Sequence, residues 1–344
     1  MATKLRAHAS SNVVSGAKGV PAPTFEEIFV RNDAVSLCLL LNRRARTMRV
    51  IDFRAGASPA KKLFVQSIAR RERIDKVVVL VERDECSTWA RLGFVREGNI
   101  PGFYKRSDAF IMGSIIPAPT AATPTPTVVS TKARLVESGV FSVSRHPLYT
   151  NDDETDLEDE APPPAQSAVA EKTVVHARKI AKDLVSLPTM PVKLASISAT
   201  EVQKRIAQAT KENRALTGFE SFGRDVTRDD VLVTGKGMPE LVIGAEIQRC
   251  YGNAFLEILT APRDDRERGF LLSALRAMCE RLIANDIVCA FGLTPSDDVK
   301  MSTAFAANGF RRTGVLRQHL RLRGDRVDAI LWSKKLSNPQ DEES

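Results

Sequence analysis

No apolar run in this sequence is long enough to span a bilayer; the longest, around Ala34–Leu41, is strand-sized. The segment Met1–Pro23 lacks the apolar h-region of a secretory signal. It contains Ser and Lys and is poor in acids, which keeps a transit peptide open beside the plainer reading of a disordered tail. Cysteine is sparse and odd in number. Cys38, Cys86, Cys250, Cys279 and Cys289 are scattered, and no two have metal-ligand or redox spacing. They read as reduced thiols in a cytosolic protein, so the expected localisation is cytoplasmic. The four histidines, His8, His146, His176 and His319, do not cluster either, which argues against a metal enzyme. Aromatic residues make up only 6% of the chain, too few for the stacking platforms that single-strand nucleic-acid binders need.

What is present points to ordinary globular folding. At 344 residues, 43% hydrophobic and 27% charged, the chain can build two domains, each with its own core. The formal net charge of +8 conceals a contrast. Asp152–Glu160 (DDETDLEDE) holds seven acids, so the remainder carries +15. A basic surface of that kind attracts nucleic acid, an anionic membrane or a phosphate-rich cofactor, or it simply balances an acidic linker. From Ile116 to about Ala170 the composition shifts to PAPTAATPTPTVV, then the acidic run, then APPPAQSA. Such a stretch buries too little apolar surface to offset its ordering entropy and is expected to be a disordered linker. The expected organisation is a tail at 1–23, a folded unit at 24–115, a linker at 116–170, a second unit at 171–336 and a tail at 337–344.

In the second unit Glu201–Ala215 has helical periodicity. Val231–Thr234 and Glu240–Cys250 read as a hairpin across Gly235-Lys236-Gly237. A strand over Ala254–Ala261 ends at Pro262. After the charged loop Arg263–Arg268, apolar residues from Leu271 to Ile283 recur at helical spacing. A buried strand (Asp286–Leu293), a helix (Met301–Ala307) capped by Asn308-Gly309, and a hairpin (Val315–Leu322, Val327–Trp332) follow. The first unit repeats the back half of this order. Ile74–Val81 parallels the strand at Asp286, and Cys86–Leu92 parallels the short helix. LGFVREG matches NGFRRTG, and DAFIMGSII matches DAILWSKKL. Four blocks in one order make an internal repeat, with a shortened front end in the first copy.

That order, with its "GF.R.G" block, resembles the Gcn5-related N-acetyltransferase (GNAT) superfamily. The likeness covers about 160 residues of the second unit and about 90 of the first. It implies an α/β fold of two GNAT-like mixed-sheet units, the first truncated and degenerate. It also implies acetyl-CoA as co-substrate. The family's pyrophosphate motif is an Arg or Gln, two residues, Gly, one residue, then Gly or Ala. Arg266-Glu267-Arg268-Gly269-Phe270-Leu271 fits it in five positions of six and departs at Leu271, whose bulk would narrow the cradle. A helix N-terminus offers unpaired amides and partial positive charge, and glycine lets the backbone approach an anion. The plain alternative is an Arg-rich surface loop before an amphipathic helix. The first unit has Arg54-Ala55-Gly56-Ala57-Ser58-Pro59 at that place, with the wrong Arg–Gly spacing and a proline that removes a donor, so it reads as non-catalytic.

By the same resemblance, backbone N–H groups near Ile258, Leu259 and Thr260 would hold the acyl carbonyl, and Glu257 is placed like the strand glutamate that serves some members as general base. Glu257 would need partial burial to raise its pKa; otherwise it faces solvent on an alternating strand. The family's Tyr acid is replaced by Phe305, and by Trp89 in the first unit. Expulsion of an unprotonated thiolate near neutrality costs about 2 kcal/mol, which slows transfer without excluding it. The expected function is therefore an acetyl-CoA-dependent N-acyltransferase acting on an amine, either a small molecule or a protein. In this reading the second unit is catalytic and the first is a partner-binding or dimerising copy; the rival is an inactive GNAT-like regulatory or scaffold protein in which both units serve protein–protein contact, in one variant gated by acyl-CoA.

Overall fold

Runs of β-branched and apolar residues too short for helices dominate both ends of the chain, and they form one mixed sheet. The computed structural model describes residues 25–31, 35–53, 56–117, 167–184, 189–217, 219, 222–322 and 324–337. The first half contains β1 (Phe25–Arg31), β2 (Ser36–Asn42), β3 (Thr47–Asp52), α1 (Pro59–Arg71), β4 (Lys76–Val81), α2 (Cys86–Arg91), β5 (Val95–Ile100) and β6 (Ala109–Ile115). The second half contains α3 (Ala168–Leu184), β7 (Lys193–Ser196), α4 (Ala199–Lys211), β8 (Thr227–Thr234), β9 (Leu241–Gln248) and β10 (Asn253–Ile258). It continues with α5 (Asp265–Ile283), β11 (Cys289–Pro295), α6 (Val299–Ala307), β12 (Arg311–Leu322) and β13 (Asp325–Lys335).

The strand order is β1-β2-β3-β4-β6-β5-β12-β13-β11-β10-β9-β8-β7. Each half has one parallel pair, β3 with β4 and β10 with β11, crossed over by α1 and α5. The other neighbours are antiparallel. The first half keeps three strands ahead of its crossover helix and, among the described residues, has no counterpart of β7 and α4, which is the shortened front end. The expected linker lies outside the described residues except at its ends. There Ile116 and Pro117 follow β6, and α3 begins at Ala168 rather than at 171. The tails at 1–23 and beyond Ser337 also lie outside them.

The halves do not stand apart as the sequence suggested; they belong to one packed unit. β5 joins β12 with Gly98 opposite Gly314, the equivalent glycines of the repeated block. A Cβ on Gly314 would collide with the Glu97 carbonyl oxygen and sit 2.5 Å from the Gly98 Cα, so only glycine fits this crossing. One face of the junction buries Ile100, Phe103 and Ile111 against Phe255, Phe291, Leu316 and Leu331. Asn253 Nδ2 donates to the Phe103 carbonyl at 3.0 Å, and Arg326 donates to the Ala45 and Arg46 carbonyls at 2.7 Å. On the other face each half keeps its own helix-covered core, around Phe270, Leu275 and Trp332 in the second and Val65, Val79 and Trp89 in the first.

Candidate functional site

β10 and β11 stop pairing at Leu256 opposite Gly292 and then diverge. The divergence opens a fork at their C-terminal ends, where open sheets usually bind ligands. A cavity of about 470 Å³ is lined here by Leu256, Glu257, Ile258, Leu293, Pro295 and Met301 of the second half. Its far wall comes from the first half and from the β12–β13 hairpin. A second cavity, about 790 Å³, is lined by Ala261, Pro262 and Arg263 of the β10–α5 loop and Asp297–Lys300 at the start of α6. It shares Ala215, Leu216 and Pro295 with the first and so lies beside it.

Glu257 does not face solvent: it is 6% exposed and lines the first cavity. Thr217 Oγ1 donates to its Oε1 at 2.6 Å, and Arg228 Nη2 donates to its Oε2 at 2.5 Å. Burial raises its pKa above the usual carboxylate range, against the lowering pull of Arg228 and Thr217. Arg228 serves three acids. Besides Glu257, its Nη1 lies 3.4 Å from Glu246 and its Nε 3.5 Å from Asp230. Glu246 is buried and accepts from the Phe222 and Gly223 backbone N–H groups at 2.8 and 2.6 Å. Burial, reinforced by the charge of Glu257, pushes it up to about 7. Sequence reading missed Thr217, Arg228 and Glu246. The one available signal is the alternation of Arg228 and Asp230 along β8, which puts both on one face of the sheet. The register then sets Glu246 of β9 opposite Arg228 and Gly244 opposite Asp230.

The residues expected to hold the acyl carbonyl behave differently from one another. Leu259 N–H is engaged, donating to the Val242 carbonyl at 3.1 Å, and Thr260 bridges Ala215. Ile258 differs. The alternation of the β9–β10 ladder turns its N–H toward β11, beyond the last paired position.

The predicted anion motif is placed inside a helix rather than on a loop. α5 begins at Asp265, and Asp264 caps it by accepting from the Glu267 N–H at 2.8 Å. Gly269 therefore lies within the helix, where an added Cβ would meet only Met190 Sδ at 3.7 Å. Phe270 and Leu271 are core residues, so the bulk of Leu271 does not point at an anion. Arg263 pairs with Glu267 and Arg268 with Asp265, the latter at 3.0 Å. Arg266 is exposed and extends toward Gly237. The three arginines are thus matched by Asp264, Asp265 and Glu267, and the positive potential expected from the sequence is largely offset.

Phe305, in place of the expected acid, is fully buried and stacks on Trp332 with ring centroids 6.3 Å apart. Its ring packs against Gly292, the last paired position of β11: a Cβ there would lie 2.9 Å from Phe305 Cε1 and 3.1 Å from the Leu256 carbonyl oxygen. Among the described residues no group of three or more His, Cys, Asp or Glu could hold a metal ion, and no helix is long and apolar enough to cross a membrane.

No family model and no curated protein matches the chain. Among solved structures, it is similar to a spermidine N-acetyltransferase from Vibrio cholerae in complex with CoA and spermine. The identity is 13%, the match covers 44% of this chain and 98% of that one, and the TM-score is 0.35. A dodecameric structure of the Vibrio cholerae spermidine N-acetyltransferase in an intermediate state matches at 14% identity, with the same coverage and TM-score. Scores this low carry no argument about what the chain binds or does.

Proposed function

We propose that the second half is an acyl-CoA-dependent N-acyltransferase, with acetyl-CoA as the donor and the acceptor amine in the cavity beside Glu257. The observation that carries this reading is a buried carboxylate of raised pKa at the mouth of a fork into which a strand N–H past the last paired position, that of Ile258, is turned. Glu257 takes a proton from the bound ammonium, leaving the neutral amine to attack; both its oxygens already accept one bond, and a carboxylate has room for more. The amine nitrogen forms a bond to the acyl carbon, the carbon–sulfur bond breaks, the nitrogen's second proton passes to water, and the thiolate leaves unprotonated because Phe305 offers no proton. Ile258 N–H stabilises the developing oxyanion. Arg266, Arg268 and the backbone from Gly269 to Leu271 are proposed to lie along the pyrophosphate.

Titration of acetyl-CoA into the purified full chain, followed by an assay with a broad amine panel, tests this. Binding with turnover supports it. A second reading, an acyl-CoA-gated scaffold, is favoured by the Asp264 cap and the absent acid, and it predicts binding without turnover. Absence of binding sinks both.

A further inference from the structure

The cavity beside Glu257 has an opposite wall that the family resemblance does not account for. Arg49 of β3 lines it from the first half. Its Nη1 donates to the Phe222 carbonyl at 2.6 Å, and its guanidinium carbon lies 5.1 Å from the centre of the Phe222 ring. Its Nε is buried with no hydrogen-bond partner, and among the described residues no carboxylate forms an ion pair with it. The carboxylate whose charge acts on it, Glu246, is held by the Phe222 and Gly223 N–H groups. A guanidinium shielded from water with no anionic partner and an unsatisfied Nε is costly, and an arriving anion relieves that cost. Arg44 and Arg321 line the same cavity and are exposed. Among the lining residues Glu257 is the one carboxylate; it shares Arg228 with Glu246 and Asp230 and is outnumbered by the three arginines. The lining therefore carries surplus positive charge.

We propose that this wall, with Arg49 at its centre and Arg44 and Arg321 at its rim, binds an anionic group of the acceptor, so that the acceptor is an amine bearing a carboxylate or phosphate. This rests on the reading of the cavity as the acceptor site. A polyamine would bring its further ammonium groups against these arginines, which disfavours it. The first half then has a role in substrate choice without a catalytic site of its own. The guanidinium and the carboxylate belong to the lining of one cavity, so one end of the acceptor is fixed while its amine meets Glu257.

The test uses the full chain and matched acceptors: O-phosphoethanolamine against ethanolamine, β-alanine against propylamine, and spermine. With saturating acetyl-CoA, kcat/KM is expected to be at least about 10-fold higher for the anionic member of one pair, and lowest for spermine. Arg49→Met should remove that preference through KM, Arg49→Lys should restore part of it, and coenzyme A affinity should stay unchanged. Equal or better use of ethanolamine, propylamine or spermine would overturn the proposal and leave the acyltransferase reading intact. Loss of coenzyme A affinity matching the loss of acceptor affinity would overturn it too, by assigning the wall to the coenzyme's phosphates. Calorimetric titration with O-phosphoethanolamine and β-alanine in the absence of coenzyme reads the site without turnover. Binding that depends on Arg49, with no acetyl transfer to any amine, would support the wall and reject the enzyme; no binding of either probe would reject the wall. Should Arg49→Met not fold, Arg44→Gln combined with Arg321→Gln, both at exposed positions, should lower the preference instead.

Discussion

The two halves place a crossover helix over the same kind of parallel strand pair, yet different side chains are buried beside each pair. In the first half Lys61 of α1 is buried between β3 and α2. It pairs with Asp52, donates to the Gly56 carbonyl at 2.8 Å and lies 5.8 Å from the Trp89 ring. In the second half the fork beside β10 holds Glu257 at the edge of a cavity. A shared topology is thus no guide to a shared site; the side chains that project into the fork decide. The first half supplies instead a wall and half of a continuous sheet.

The largest expected effect breaks the comparison at its hinge. Gly314→Val places a branched side chain against the Glu97 and Gly98 backbones, which cannot withdraw without parting β5 from β12. A loss of several kcal/mol is expected, read as a fall in Tm or as failure to fold. Gly269→Ala is the contrasting control. Its Cβ meets only a flexible thioether in a helix interior, so it should be neutral or stabilising by up to about 1 kcal/mol.

Next in size is the site itself. Glu257→Gln should lower kcat about 10²–10⁴-fold with little change in coenzyme A affinity, the pattern of a group acting only in the transition state. An unchanged rate would remove Glu257 from the mechanism. Phe305→Tyr should have a smaller effect of opposite sign. Its ring packs against Gly292 at the end of the β10–β11 pairing, and a hydroxyl that reaches the leaving thiolate from there supplies the missing proton. Turnover near neutral pH should rise and become less pH-dependent. A destabilised protein with no gain would mean that the hydroxyl is merely buried without a partner.

Much of this was legible in the sequence. The second half's element order from α4 onward, the back half of the first and the strand position of Glu257 follow from periodicity and turn residues, whereas α3 and β7 were not foreseen. Boundaries moved where a cap decided them: Asp264 starts α5 ahead of the apolar positions that reveal the helix. The union of the halves was not legible, because Gly98 and Gly314 look like turn or motif glycines until their strands are paired. Arg49 and Arg228 were also hidden. Each is one arginine among many, distinguished only by what the fold brings, or fails to bring, within reach of its guanidinium.

The smallest net effect on the native chain concerns pH, where two desolvated groups oppose each other. Glu246 titrates at about 7 in the folded protein, above its ordinary 4.5, so the folded state holds its proton more tightly. Its contribution is fully present below 4.5, is lost as pH rises from 4.5 to 7, and changes no further above. His319 is shifted the other way: burial, with the charges of Lys76 and Arg326, pushes it down to about 3 from 6.5. Its contribution is fully present above 6.5 and is lost as pH falls from 6.5 toward 3. Between 4.5 and 6.5 the two slopes have opposite signs, each limited to about 1.4 kcal/mol per pH unit for one proton. Denaturant unfolding of the full chain across this window should therefore show a shallow dependence from this pair. His319→Gln should leave the Glu246 slope exposed, with stability falling as pH rises from 4.5 to 7. Glu246→Gln should do the reverse and steepen the loss toward acid. Raised pKa values at Glu257 and Asp230 add to the Glu246 sense, so Glu246→Gln reduces that slope without abolishing it. If both variants keep the wild-type profile, neither group changes its proton binding on folding.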